Sequence, residues 1–308
     1  MSLAPGLRLR LVRAGMRVLA KPLFARVRSV PAARIGLVAT SLAVPLPWGV
    51  RAARQPCGGI DGLRLRPPGD AAGPVLLWFH GGAYVTGSAF THRGLLGRIA
   101  RAAGCSVVAP DYRLAPEHPA PAAFEDALRA FDGLVAEGVP PVRIAIGGDS
   151  AGGGLALALL AAVAARGLQP AACVLLSPWA DLTLSGGSIR ANAARDPLLP
   201  AGRMAEVVAM IRGDLSPADP RLSPVLGALP GVCPVLIHVG STEVLLDDSR
   251  RTAAGLRRAG AAVTLFIRPG APHVLAWLAP WVPEATDEIR RIGAFLRDLQ
   301  PGAPTVSR

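Results

Sequence analysis

Six short runs of nearly unbroken apolar residues punctuate the chain after residue 73: Pro74–His80 ("PVLLWFH"), Cys105–Asp111 ("CSVVAPD"), Val142–Gly148 ("VRIAIGG"), Ala172–Trp179 ("ACVLLSPW"), Pro234–Ser241 ("PVLIHVGS") and Val263–Pro269 ("VTLFIRP"). Each has the length of a strand, and continuous hydrophobicity predicts strands buried on both faces. Between them lie helical stretches, Ala122–Gly138, Gly154–Gly167 ("GLALALLAAVAARG"), Asp248–Gly260 and Glu284–Gln300. Alternation of this kind marks a parallel sheet with crossover helices. The segment around "GIDGLRLRPPG" is expected to open the sheet as an antiparallel pair, bringing the expected total to eight strands.

Two regions break the alternation: an N-terminal arm, residues 1–55, and a Pro-, Gly- and Ala-rich insertion, residues 181–231. Insertions there are expected to stand above the strand C-termini, where open α/β sheets bind ligands. Residues 56–180 and 232–308 then form the core of a single unit. No internal repeat or linker divides it.

The 308 residues are 51% hydrophobic, enough for a large core. A net charge of +12 raises the question of a nucleic-acid partner. The cations are nearly all arginine and appear scattered, and only 5% of residues are aromatic, so stacking platforms are scarce and no nucleic acid is expected. Cys57, Cys105, Cys173 and Cys233 lie far apart, which predicts buried free thiols and leans towards a reducing, cytoplasmic compartment. The basic, amphipathic start lacks a secretory h-region, and Ile35–Val50 is too short and proline-broken to span a membrane. The arm is read first as an element docked over the rest of the protein. Peripheral contact with an anionic membrane is the second reading.

Chemistry concentrates around Gly148-Asp149-Ser150-Ala151-Gly152, a G-x-S-x-G pentapeptide between a predicted strand and a predicted helix. In such a turn the serine is strained and exposed, and its neighbours must be small for strand and helix to approach. The spacing fits neither a dinucleotide fingerprint nor a P-loop. A second glycine loop, "HGGAY" (His80–Tyr84), follows the first long strand; the N–H groups of Gly81, Gly82 and Ala151 are the expected oxyanion donors. A serine nucleophile needs a base and an orienting acid, in the chain order Ser, acid, His. His80 is assigned to loop shape, His92 and His118 precede the serine, and His238 lies mid-strand as a satisfied core histidine. His273, in the loop after the last strand, remains as the base. Glu243 is the preferred acid, with Asp247 in reserve, because Asp247 and Asp248 fall where a helix cap belongs.

Together, "HGGAY", "DYRLAPEHP" (Asp111–Pro119), "GDSAGG" (Gly148–Gly153), "SPWADLT" (Ser177–Thr183) and "PHV" (Pro272–Val274) resemble the hormone-sensitive-lipase family of α/β-hydrolases, the bacterial family IV esterases, over roughly residues 60 to 300. The resemblance implies an α/β-hydrolase with a mostly parallel eight-stranded sheet, a helical cap from the arm and the insertion, and a serine carboxylesterase for short- to medium-chain acyl esters. It implies no metal or organic cofactor, and a small ester as partner. In the family the acid is usually the first Asp of D-x-L-x-D; "EVLLD" (Glu243–Asp247) puts glutamate there. Tyr84, Leu198, Leu199, Met204 and Val208 are expected to line the substrate pocket. Asp111, Arg113 and Glu117 are expected to form a buried polar network bracing the oxyanion loop. The alternatives are an amidase or lactonase with the same machinery, or a receptor-like ligand binder, against which the presence of His273 argues. A homodimer is compatible with the sequence.

Overall fold

In the computed structural model, which describes residues 5–69, 73–279 and 281–299, the chain begins with helices α1 (Leu7–Gly15), α2 (Lys21–Arg26) and α3 (Val30–Ser41), a π-helical turn over Met16–Ala20 joining the first two. There follow β1 (Arg51–Arg54), β2 (Gly62–Arg66), β3 (Val75–Phe79), α4 (Ala89–Ala103), β4 (Val107–Pro110), α5 (Ala122–Ala136), β5 (Ile144–Asp149), α6 (Ala151–Ala165) and β6 (Ala172–Leu176). The insertion carries the short helices α7 (Ser188–Ala191) and α8 (Met204–Ile211), after which β7 (Val235–Gly240), α9 (Leu246–Arg258), β8 (Val263–Arg268) and α10 (Pro283–Arg297) complete the chain. Residues 1–4 of the expected arm, Gln300 of the last expected helix and the core residues 301–308 lie outside the described residues.

The strands form one sheet in the order β1-β2-β4-β3-β5-β6-β7-β8; β1 and β2 are antiparallel to their neighbours and the other six strands are mutually parallel. The chain leaves β3 towards β4 on one side and returns to β5 on the other. That reversal opens a crevice beyond the C-terminal ends of β3 and β5, the place where doubly wound sheets hold ligands.

Side chains along β3 alternate between the two layers of core. Leu77 and Phe79 lie in the core layer shared with α5, α6 and α9, while Leu76 and Trp78 lie in the layer shared with α4, α10 and Leu9 of α1. Helix α6 is apolar all round and is buried through most of its length. Helix α4, not predicted from "AFTHRGLLGRIARAA", starts at a reciprocal Ser88–Thr91 capping box and stops at Gly104, whose φ of 62° is the left-handed C-cap. The expectation of strands buried on both faces fails for β8, whose residues are half-buried or exposed, because β8 is the outer edge of the sheet. The four cysteines are free and buried. Among the described residues no helix is long and apolar enough to cross a membrane.

The arm and the insertion are joined by hydrogen bonds. Lys21 Nζ donates to the carbonyls of Ala193 (2.6 Å) and Asp196 (2.7 Å), and Arg17 donates to the carbonyl of Arg195. In return, Arg203 of the insertion donates to the carbonyls of Phe24, Ala25 and Val27.

Candidate active site

Ser150 occupies the single residue between β5 and α6, with φ 54° and ψ −122°, a backbone conformation that only a well-braced turn sustains. Its N–H donates to the Leu176 carbonyl and its carbonyl accepts from the Trp179 N–H, both at 2.8 Å, so the turn is pinned to the end of β6. The flanking glycines are required by contact. A Cβ on residue 148 would collide with the Gly152 carbonyl, and one on residue 152 with the Phe79 carbonyl at the end of β3.

Glu243 and His273 come together across the ends of β7 and β8. His273 Nδ1 lies 2.7 Å from Glu243 Oε2, with the acid fully buried and the histidine 8% exposed. The other carboxylate oxygen, Oε1, accepts from the Gly240 N–H at 2.5 Å and from the Ser177 hydroxyl at 2.8 Å. Burial pushes the carboxyl of Glu243 upward, partly offset by the bond to His273. Burial alone would lower His273, but the hydrogen bond and charge of Glu243 outweigh it and the imidazole is raised. Asp247 is engaged elsewhere: Oδ2 accepts from the Ser188 N–H at 2.8 Å and Oδ1 pairs with Arg250 at 3.2 Å. Asp248 is buried, accepting from the N–H groups of Ala180 and Asp181.

Three residues outside the expected site hold this pair. Ser177 donates to Glu243 and accepts from the Val274 N–H at 3.1 Å, tying acid and base loops together. Asn192 donates to the Glu243 carbonyl at 2.8 Å. The buried carboxylate of Asp196 accepts from the N–H groups of Val244, Leu198 and Leu199. Ser177 was visible in "SPWADLT" as a polar residue ending an apolar run. Nothing local in the sequence ties Asn192 and Asp196 to the acid, since their partners on that loop, Glu243 and Val244, lie about fifty positions away.

The loop after β3 corrects one expected donor. The Gly81 N–H points at His92 Nε2, 3.2 Å away, so it is turned from the crevice; its direction is fixed by the backbone whatever the tautomer of His92. Behind it, Asp149 lies between His92 Nε2 (3.3 Å) and Trp78 Nε1 (3.0 Å). Burial would raise Asp149, but the partners prevail and the carboxyl is lowered. Gly82, Ala83 and Tyr84 all have positive φ, at 118°, 55° and 58°. The N–H groups of Gly82, Ala83 and Ala151 make no hydrogen bond among the described residues. His80 stacks on Tyr112 at 4.3 Å between ring centroids, while the Tyr112 hydroxyl donates to the His80 carbonyl at 2.7 Å. Burial, reinforced by His92, lowers His80 to about 3, so the ring is neutral near pH 7.

Other expectations change too. Asp111, Arg113 and Glu117 do not form one buried network: Asp111 accepts from the Ala89 N–H, Arg113 pairs with Asp126 and Glu125, and Glu117 is exposed and bound by Arg34 of α3. The short spacing hides that each faces a different element. Of the expected pocket residues, Tyr84 borders a small cavity that Phe124, Leu155, Ile211 and Leu222 also line. Leu198 and Leu199 are half-buried, and Met204 and Val208 are buried where the apolar face of α8 packs onto the core. His238 is buried beside Glu288 at 3.5 Å, and its ring nitrogens have no hydrogen-bond partner among the described residues, contrary to the satisfied core histidine expected.

Comparison with known proteins agrees with this architecture. The profile of the alpha/beta hydrolase fold matches residues 76–276. An acetyl-hydrolase of Streptomyces hygroscopicus is 43% identical over 231 residues, 75% of this chain and 77% of that protein. The putative acetyl-hydrolase LipR of Mycobacterium tuberculosis is 36% identical over 280 residues, 90% and 91% of the two chains. The crystal structure of an esterase from the bacterial hormone-sensitive lipase family superposes with a TM-score of 0.90 at 39% identity, covering 97% of this chain and all of the other. Fold and site together define a hydrolase. The chain belongs to the alpha/beta hydrolase fold family, in its hormone-sensitive-lipase branch, and is a carboxylic ester hydrolase.

Proposed function

We propose that the protein hydrolyses short- to medium-chain acyl esters through an acyl-enzyme on Ser150. The observation that carries the reading is the 2.7 Å contact of Glu243 with His273 Nδ1, across the strand ends from a serine held in a strained turn. With Nδ1–H bound to the acid, Nε2 is left with its lone pair free to take the Ser150 hydroxyl proton as Oγ attacks the ester carbonyl. The N–H groups of Gly82, Ala83 and Ala151 receive the developing oxyanion; Ala83 replaces Gly81 in this role because the Gly81 N–H faces His92. His273 then returns the proton to the leaving alkoxide, and water repeats the sequence on the acyl-enzyme.

The arm and the insertion act as a cap that limits substrate size, with Tyr84 on the pocket wall. Two relatives named acetyl-hydrolases support a small acyl group. Contact of the arm with a membrane surface belongs to the same proposal.

The test is turnover of p-nitrophenyl acetate, butyrate, octanoate and palmitate by the wild type and by Ser150→Ala, Glu243→Ala and Asp247→Ala. Butyrate or octanoate turns over fastest, Ser150→Ala and Glu243→Ala remove the activity, and Asp247→Ala keeps it. Loss of activity in Asp247→Ala with retention in Glu243→Ala would overturn the acid assignment. An active Ser150→Ala would overturn the mechanism.

A further inference from the structure

The charge of this chain is distributed unevenly, in a way the scatter of its arginines conceals. Residues 1–60 hold ten cationic side chains and no carboxylate, whereas residues 61–308 hold 23 cations against 21 carboxylates. Nearly all of the net charge of +12 therefore sits on the arm. Arg8, Arg10 and Arg26 are exposed, and their guanidinium groups make no hydrogen bond or ion pair among the described residues.

The same helices expose apolar side chains. Of the fifteen large apolar residues standing exposed among the described residues, ten lie between Leu7 and Trp48, so the arm, a small part of the chain, holds most of them. Leu7, Leu11, Val18, Leu19, Leu23 and Phe24 are each 45–73% exposed. On α1 the division is by face: Leu9 is wholly buried against the core, and Leu7 and Leu11, one turn apart, point the other way. The inner side of the arm is already engaged, through Leu9, Arg17 and Lys21 and through the Arg203 bonds to α2 and the residues after it. These exposed leucines are thus the outer face of a docked element.

We infer that this outer face is a docking surface for an anionic lipid bilayer, the leucines entering the headgroup boundary and Arg8, Arg10 and Arg26 meeting lipid phosphates. A lipid surface accounts for both features at once, since interfacial helices combine exposed apolar residues with a basic polar face. A second copy of the chain would bring together two cationic segments that carry no carboxylate of their own. A nucleic acid would leave the leucines in water. The inference deepens the proposed membrane contact and is independent of the triad assignment.

The experiment is co-sedimentation of the full chain with vesicles of phosphatidylcholine alone and of phosphatidylcholine mixed with phosphatidylglycerol, at low and high salt. At about fivefold for each uncompensated arginine, the three together favour the anionic vesicles by about a hundredfold at low salt, and salt weakens the preference. Arg8→Glu/Arg10→Glu loses most of that preference. Leu11→Ser/Leu19→Ser/Leu23→Ser loses binding to anionic vesicles while retaining solution turnover of p-nitrophenyl butyrate and its thermal midpoint, which shows that it is folded. Equal binding to both vesicle types, or none to either, overturns the inference. So does a dimer in sedimentation velocity that the leucine variant abolishes while vesicles bind nothing. Vesicle binding by a protein that fails to hydrolyse any ester would sink the esterase reading and leave this one standing.

Discussion

Glutamate in place of the family's usual aspartate makes the length of one side chain a measurable quantity. Glu243→Asp withdraws the carboxylate by up to one C–C bond, about 1.5 Å, so the 2.7 Å contact with His273 opens to about 4 Å, beyond hydrogen-bond reach. The shorter acid still carries its charge, so what is lost is one charge-assisted hydrogen bond, about 1.5–3 kcal/mol, or about 10- to 150-fold in kcat with KM little changed. Glu243→Gln is more severe. Its amide oxygen inherits the donors Gly240 N–H and Ser177 hydroxyl, which turns the NH2 towards His273 Nδ1. That forces the proton onto Nε2, the tautomer that cannot accept from Ser150, and such a fault removes about 10⁴ in rate. The pH profile supplies a second reading. His273 acts as a base when neutral, so activity rises as pH rises through its pKa, and Glu243 holds that pKa up against burial. Weakening the contact therefore moves the acidic limb of kcat/KM to lower pH. The assay is steady-state hydrolysis of p-nitrophenyl butyrate across pH for wild type and both variants. A Glu243→Asp enzyme within twofold of wild type, with an unmoved acidic limb, would refute the reasoning.

Three other outcomes follow from the same geometry. Ser177→Ala removes one hydrogen bond to Glu243 and one from Val274, and lowers kcat about tenfold with KM within about twofold; an unchanged kcat would mean that Ser177 does not position the pair. Gly152→Ala, which in an ordinary helix would gain about 1 kcal/mol, here loses about 3 kcal/mol because the new methyl meets the Phe79 carbonyl; a rise in the denaturant midpoint would contradict the close approach of α6 and β3. Asp248 is pushed up to about 7, first by burial. A raised folded pKa means that the folded state holds the proton more tightly, so this group's contribution is present below about pH 4 and lost as pH rises towards 7. Asp248→Asn keeps an acceptor for the Ala180 and Asp181 N–H groups and should flatten that decline in urea midpoints; a slope identical to wild type's would exclude it.

The strands were legible because burial on both faces leaves an unbroken apolar run. Five of the six long ones sit where their runs predicted with the burial expected. The sixth, β8, has the same kind of sequence and a different environment, since nothing within "VTLFIRP" records that it forms the edge of the sheet. The Ser150 turn was legible through glycines whose missing Cβ atoms are required by carbonyls of adjoining elements. Chain order and position after the strand ends selected Glu243 and His273, which the fold brings to 2.7 Å. The orientation of a peptide group was not legible: Gly81 and Gly82 are equivalent letters, and only the position of His92, eleven residues on, turns the first N–H away. Asp196 and Asn192 escaped notice for the same reason, because a buried polar residue in a loop looks like a solvated one until its partner on another element is known.

Lys21 is the only lysine in the chain, and both of its contacts are carbonyls of the insertion that braces Glu243. An amine-directed reagent consequently has one side chain to modify, at the seam between arm and insertion. Its rate of reaction there, followed by mass spectrometry, becomes a clock for how often that seam opens, and comparing the rate with and without a bound ester analogue would show whether substrate binding changes it, without any engineered label.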